Sequence, residues 1–161
     1  MAVSEASFRN ALARFASGVT VVTGVSPTNG LAGVTATAFS SVSLDPPLVL
    51  VCLGKETVCL NAFTEGAHFT VNILSSGQKD LSDTFARRSK DKFAGVDYRL
   101  GENGCPQLSG CLAVLECARD EVYEGGDHWV ILGRVDKVDA VSPGDPLIHF
   151  CGAYRDIGGP L

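Results

Sequence analysis

Between Gly33 and Leu53 the chain reads as two strand-like segments around one corner, Asp45-Pro46-Pro47. Short turns of this kind join antiparallel neighbours. The first segment is unusual in what it carries. By the period of two, Thr35, Thr37, Phe39, Ser41 and Ser43 share one face, and Gly33, Ala36 and Ala38 lie among them. A strand that gives a whole face to hydroxyls meets water or a polar ligand at close range. Small neighbours let backbone N–H and C=O groups reach a flat polar ring. Hydroxyls and amides can also hold a phosphate. The plain alternative is that Thr favours strands and Ser fills tight corners.

The rest of the chain supplies more strands. Ser4 can cap a helix running to about Ser17, with Phe8, Ala11, Leu12 and Phe15 as its apolar stripe and Gly18 as its stop. Val19 to Val25 is a β-branched run that ends in the turn cluster Ser26-Pro27-Thr28-Asn29-Gly30. Leu31 to Ser43 and Leu48 to Leu53 follow as strands. A short helix from Thr57 to Phe63 precedes a strand from Ala67 to Leu74. Ser76 to Arg88 is amphipathic, with Arg87 and Arg88 in its last turn. Residues 89–110 read as irregular. Cys111–Tyr123 and His128–Val141 are long strands, and Pro146–Cys151 is a short final one. About seven strands and three short helices without β-α-β alternation favour a closed antiparallel barrel over a doubly wound sheet. The length of 161 residues, with no shift of composition and no repeat, suits one domain spanning 1–161.

Composition narrows the function classes. A net charge of −5 argues against a nucleic-acid partner, although one pocket can be positive on an acidic protein. The longest apolar run, Leu48 to Leu53, is far short of a membrane span, and the N-terminus lacks a secretion signal, so a cytoplasmic protein is expected. The six Cys, at 52, 59, 105, 111, 117 and 151, have no Cys-x-x-Cys spacing and read as reduced structural thiols. His68, His128 and His149 lack metal-ligand spacing, so no metal is expected. There is no dinucleotide fingerprint, no phosphate-binding P-loop and no nucleophile elbow.

Several residues could still carry chemistry. Thr35, Thr37, Ser40 and Ser41 are the hydroxyl candidates. Lys55 and Thr57 follow the third strand at a helix start, where Thr57 is either a plain N-cap or a phosphate ligand. Arg87 and Arg88 are either solvated charges or phosphate forks. His128, in Gly125-Gly126-Asp127-His128-Trp129, is either a surface turn residue or a ligand contact at a pocket rim.

Taken in order, these pieces resemble a known family. Phe15 to Thr23, then Gly33 to Leu53 with its Ser-Leu-Asp-Pro-Pro, is similar to the flavin reductases that supply two-component monooxygenases. Phe69-Thr-Val-Asn-Ile-Leu, Gln78 with Leu81 and Phe85, Asp91-Lys-Phe, Gly126-Asp-His and Pro146-Leu through Tyr154 agree in order. The resemblance covers roughly residues 8–155 and rests on the ordered set, since each piece alone is weak. It implies an FMN-binding split β-barrel of antiparallel Greek-key type, as a homodimer. It implies FMN or FAD as flavin, NADH or NADPH as hydride donor, and a separate monooxygenase that takes up the reduced flavin. Thr35, Ala36 and Thr37 would contact the ring edge and ribityl region, beside the strand end at Cys52 and Leu53. Ser40, Ser41, Lys55, Thr57 and Arg88 would lie towards ribityl and phosphate. Phe85 would wall the site, Tyr154 would stand near its mouth, and His128 would meet the nicotinamide dinucleotide. Thr37 departs from the Asn of many relatives, but both can hydrogen-bond. The rival readings are a flavin storage or electron-carrier protein, a reductase of a non-flavin acceptor using bound flavin, and a barrel whose small-residue strand only packs against a second copy.

Overall fold

The computed structural model describes residues 3–89, 91–141 and 143–158; the outermost ends of the single domain expected over 1–161 lie outside them. Its strands are β1 (Ser17–Gly18), β2 (Thr20–Ser26), β3 (Gly30–Ala36), β4 (Phe39–Leu44), β5 (Pro47–Gly54), β6 (His68–Ile73), β7 (Tyr98–Leu100), β8 (Pro106–Leu108), β9 (Ala113–Gly125), β10 (His128–Val141), β11 (Ile148–Phe150) and β12 (Ala153–Arg155). The helices are α1 (Glu5–Leu12), α2 (Asn61–Thr64) and α3 (Lys79–Ala86), with a 3-10 turn at Ser76–Gln78 before α3.

Seven strands form one antiparallel sheet in the order β3-β2-β6-β9-β10-β5-β4. β3 and β4 stand at opposite ends of that order, yet only Thr37 and Ala38 join them. The sheet must therefore curl until its two edges approach. Cys52 N–H donates to Ala38 O at 2.9 Å and ties the corner to β5. β3 and β4 do not pair, so the barrel stays split along this seam. The mainly β barrel expected from the strand count is what the chain forms.

Two apolar clusters hold the sheet. Val22, Val51, Leu53, Phe63, Phe69, Val71 and Ile131 fill the barrel. Val19, Val21, Leu74, Phe85, Val114 and Leu147 fill the space outside it, under α3. β2 contributes to both, which is why its β-branched run does not alternate with polar residues. A buried polar seam lies beside the second cluster. Asn72 is fully buried; its amide donates to Val21 O (3.0 Å) and Thr23 Oγ1 (3.1 Å) and accepts from Leu108 N–H (2.8 Å). Glu116, also buried, accepts from Gln107 Nε2 (2.7 Å) and Asn103 N–H (2.8 Å). Among the described residues no buried side-chain N or O atom lacks a partner.

Several sequence expectations are corrected. The strand expected over 31–43 is two strands broken at Thr37–Ala38, and β4 carries an irregularity between Ser41 and Ser43. The continuous hydroxyl face of Thr35, Thr37, Phe39, Ser41 and Ser43 therefore does not exist. The first helix stops at Leu12, because Ala13 O accepts from Cys151 N–H (2.9 Å) and Ser17–Gly18 pair with His149 and Ile148. Long-range pairing wins there over local helix preference. The interval 89–110 holds the hairpin of β7 and β8. The second helix begins at Asn61, with Leu60 and not Thr57 at its N-cap.

Candidate functional site

The seam between β3 and the end of β5 gathers the polar candidates. β3 pairs with β2 through one edge, and Gly33 O on the other edge accepts from Lys92 Nζ at 3.0 Å. In a strand, backbone groups two residues apart point the same way. The N–H and C=O of Thr35 therefore lie on this open edge with those of Gly33. Unpaired strand edges are ready hydrogen-bond partners for another polar edge.

Both faces of β3 are covered. Ala32 and Ala36 pack in the barrel cluster, with Val34 against it. On the opposite face Gly33 and Thr35 meet α3. A Cβ added at Gly33 would lie 2.4 Å from Phe85 Cε1, and Thr35 Oγ1 donates to Ser82 O at 2.6 Å. The small residue at 33 makes room for a buried ring, and the Thr35 hydroxyl docks the helix. What Thr35 and Ala36 still offer at the seam is backbone.

At the end of β5, Gly54 stands opposite His128 in the β5–β10 register. A Cβ added at Gly54 would come 3.7 Å from His128 Nε2 and 3.9 Å from Thr57 Oγ1, so these two side chains flank one point. The Thr57 hydroxyl has no hydrogen bond among the described residues, which removes the plain N-cap reading. His128 Nδ1 lies 2.7 Å from Asp127 Oδ1, which fixes the ring, and the imidazole holds the Asp127 carboxyl below the usual carboxylate range. Thr57 also lines a cleft of about 190 Å³ with Val34, Gly54, Arg87, Arg88 and Lys92; Glu56 is its acidic member. Arg87 and Arg88 are not in the last turn of α3. The helix ends at Ala86, and Arg87 is already extended (φ −73°, ψ 151°). Neither guanidinium forms an ion pair among the described residues. Three cations against one carboxylate make the cleft locally positive on an acidic protein.

The other expected residues fall elsewhere. Ser40 pairs with Leu50, and Ser41 with Val49, so their side chains point to opposite faces and cannot serve one ligand together. Ser40 shares the outer face with Cys52 and Gly54. Thr37 is exposed at the seam's corner. Cys52 is half-buried, and burial pushes its thiol up; Leu53 is buried in the barrel cluster. Lys55 pairs with Glu124 and sits 5.4 Å over the Trp129 ring, so it faces the β9–β10 hairpin and not the cleft. Phe85 is fully buried and braces β3 from behind without facing the cleft. Tyr154 is not at the cleft mouth. Its hydroxyl meets Ser82 Oγ (2.9 Å) and Asp83 Oδ1 (3.1 Å), earlier in α3 than the Arg87–Arg88 end.

Lys92 joins the site although no expectation from the sequence singled it out. Its Nζ donates to Gly33 O (3.0 Å) and Phe85 O (2.8 Å), and burial pushes its pKa down. The one signal for it was the Asp91-Lys92-Phe93 motif. Among the described residues no cluster of three metal-ligating side chains occurs, and no helix is long and apolar enough to cross a membrane.

Comparison with known proteins bears on this arrangement. The model of the "Flavin reductase like domain" family matches residues 12–158. A probable flavin reductase of Rhizobium meliloti (strain 1021) is 49% identical over 129 residues, 80% of this chain and 42% of that protein. The reductase subunit HsaB of a flavin-dependent monooxygenase from Mycobacterium tuberculosis is 40% identical over 154 residues, 94% of this chain and 81% of that protein. The solved structure of the NADH:FAD oxidoreductase SgcE6 from Streptomyces globisporus C-1027 superposes with a TM-score of 0.92 at 36% identity, covering 100% of this chain and 99% of that one. The chain spans about half the length of the first Rhizobium relatives, 42% and 56%. A family match over residues 12–158, nearly the whole barrel, places this chain in the flavin reductase-like domain family.

Proposed function

We propose that this chain is an NAD(P)H:flavin oxidoreductase that reduces FMN or FAD and releases it to a separate monooxygenase. The observation that carries this reading is the meeting of three features at one seam: the open backbone edge of β3, the cationic cleft of Thr57, Arg87 and Arg88, and His128 Nε2 across Gly54. These residues fit a flavin mononucleotide moiety. The Thr35 backbone and the Thr37 corner would take the ring edge, Ser40 and Cys52 would border the ribityl chain, and the cleft would hold the phosphate. Bound flavin supplies the hydride-accepting ring that no side chain here can provide. The protein's own task is to hold two ligands in register, and orientation of this kind accounts for much of a barrier's reduction. His128, steadied by Asp127, would contact the nicotinamide dinucleotide at the rim. No general acid or base is required of the chain.

Residues 1–161 act as one flavin-binding domain in this reading, in keeping with the continuous seven-stranded sheet. Two copies associate through the apolar stripe of α1, whose Phe8 and Leu12 are 57% and 56% exposed, continued by Phe15 at 76%. Light scattering should then give twice the chain mass. The deciding experiment is NAD(P)H oxidation by the pure protein in a matrix of two nicotinamides and two flavins. Turnover in at least one combination that needs added or bound flavin is expected; none in any combination overturns the reading.

A further inference from the structure

The helix α3 is eight residues long, and an isolated helix shorter than about 12–15 residues is marginal in water. Its place is therefore set by tertiary contacts. Two of its residues are buried, Phe85 and Ser82, and both are fully so. An alanine at 82 would serve if only packing mattered. A buried hydroxyl costs stability unless it is bonded. Among the described residues the Ser82 hydroxyl has one partner, the Tyr154 hydroxyl of β12 at 2.9 Å. Tyr154 gives its single proton to Asp83 Oδ1 at 3.1 Å, so Ser82 Oγ donates to Tyr154. Lys79, bonded to Asp83 at 3.0 Å, and Tyr154 hold that carboxyl below the usual carboxylate range, which keeps it an acceptor. The Tyr154 ring is fixed in turn by Lys79 Nζ, 5.6 Å from its centre, and by His149 of β11, edge-on at 5.9 Å.

Ser82 meets the seam through its backbone. Its carbonyl accepts from Thr35 Oγ1 at 2.6 Å. One residue thus joins the hairpin of β11 and β12 to the strand whose edge is open. The same helix ends at Ala86, directly before Arg87 and Arg88. A slip of α3 by one residue would strand the buried hydroxyl, a penalty that packing alone would not impose. The slip would also move the Arg pair relative to the Thr35 edge.

We propose that Ser82 and Tyr154 are positioning residues for the flavin: their hydroxyl bond sets the register of α3, and so holds the β3 edge and the Arg87–Arg88 cleft at the spacing one flavin needs. The proposal rests on the flavin reading above. Without the bond, flavin must restore the register as it binds. The loss then falls on the Kd and KM for flavin and not on kcat at saturation.

The test is FMN binding, steady-state kinetics and amide hydrogen exchange on wild type, Tyr154→Phe, Ser82→Ala and the double variant. Asn72→Ala is the control for lost stability, because its bonds join β6 to β2 and β8 and not to α3. Each single variant should raise the Kd and KM for FMN about two- to twelvefold, the worth of one hydrogen bond, with kcat within about twofold. The double variant should lie within about twofold of the weaker-binding single, because both changes break one bond. Asn72→Ala should stay within about twofold of wild type in FMN affinity. Exchange over residues 82–88 should quicken in both flavin-free single variants. Unchanged FMN affinity in both singles, multiplicative effects, a fall in kcat with KM unchanged, or an Asn72→Ala protein that matches the singles would overturn the proposal. If Tyr154→Phe does not fold, Ser82→Ala against Asn72→Ala decides the same question. Binding of neither flavin to wild type would instead overturn the flavin reading, and exchange at α3 would still show whether the hydroxyl bond sets its register.

Discussion

Gly33→Ala should destabilise the barrel at its seam. The added Cβ would lie 2.4 Å from Phe85 Cε1 and 2.5 Å from Phe85 Cδ1, against about 3.5–4.0 Å for carbon atoms at rest. The overlap is therefore about 1 Å or more with two atoms. Phe85 cannot easily yield, because it is fully buried and its ring abuts Phe93 at 5.1 Å. Overpacking of this size costs about 1–3 kcal/mol. Loss of glycine's unfolded-state freedom returns about 0.4–1 kcal/mol where the backbone permits alanine. Overlap with two atoms of a fixed ring belongs in the upper half of the overpacking range, about 2–3 kcal/mol, so the net cost is about 1–2.6 kcal/mol, a fall in Tm of about 2–10 °C for a chain of this size. Phe85→Val removes both clashing atoms and alone costs about 2–4 kcal/mol as a cavity. The double variant should be less destabilised than the sum by about 1–2 kcal/mol. Thermal and urea unfolding of the four proteins closes the cycle. Because α3 carries Arg87 and Arg88 at its exit, the folded Gly33→Ala protein should also bind FMN more weakly. A Gly33→Ala protein as stable as wild type, or strictly additive variants, would refute the reasoning that Gly33 is small to admit Phe85.

Asn72→Ala should cost about 1–3 kcal/mol, since it strands the buried Leu108 N–H; urea unfolding reads this, and a cost below about 0.5 kcal/mol would contradict the network. Burial pushes Cys105 and Cys111 up to about 11 and Cys117 up to about 12, from 9.0. A thiol whose folded pKa is raised lends stability that is fully present below about pH 9 and is lost as pH climbs to 11–12, at up to about 1.4 kcal/mol per pH unit for each thiol. Cys117→Ala should flatten that alkaline slope, and an unchanged slope would count against the assignment. His128→Ala should raise the KM for NADH about two- to twelvefold, the worth of one hydrogen bond, with a smaller effect on the flavin Kd; equal or opposite effects would remove His128 from the nicotinamide side.

Much of the fold was legible because its causes are local. The β-branched run at 19–25, the turn at 26–30 and the Asp-Pro-Pro corner each mark a strand end or a hairpin by their own chemistry. The long strands from 111 to 141 were visible as continuous apolar and alternating runs, and the hairpin turn between them by Gly125-Gly126. The break at Thr37–Ala38 was not visible. Nothing in the local pattern there separates one long strand from two short ones, because closure of the sheet, not propensity, sets it. The short β7 and β8 were missed for the same reason, since three-residue strands exist only through their partners.

The site divides along similar lines. The stretch from Gly33 to Thr57, the Arg pair and His128 stand out in the sequence as candidates, because small residues, hydroxyls and cations are unusual where they stand. Which of them face one another was decided only by the folded chain. Lys55 turns to Glu124 because β10 brings the hairpin over it, and Tyr154 is spent on Ser82 and Asp83 because β12 lies under α3. Phe85 and Gly33 show the physical reason most plainly. The order of residues alone says that position 33 has no side chain and that position 85 is an apolar ring on a helix. That the one exists to admit the other depends on a contact across fifty-two positions of chain (85 − 33), and only tertiary packing creates such a contact.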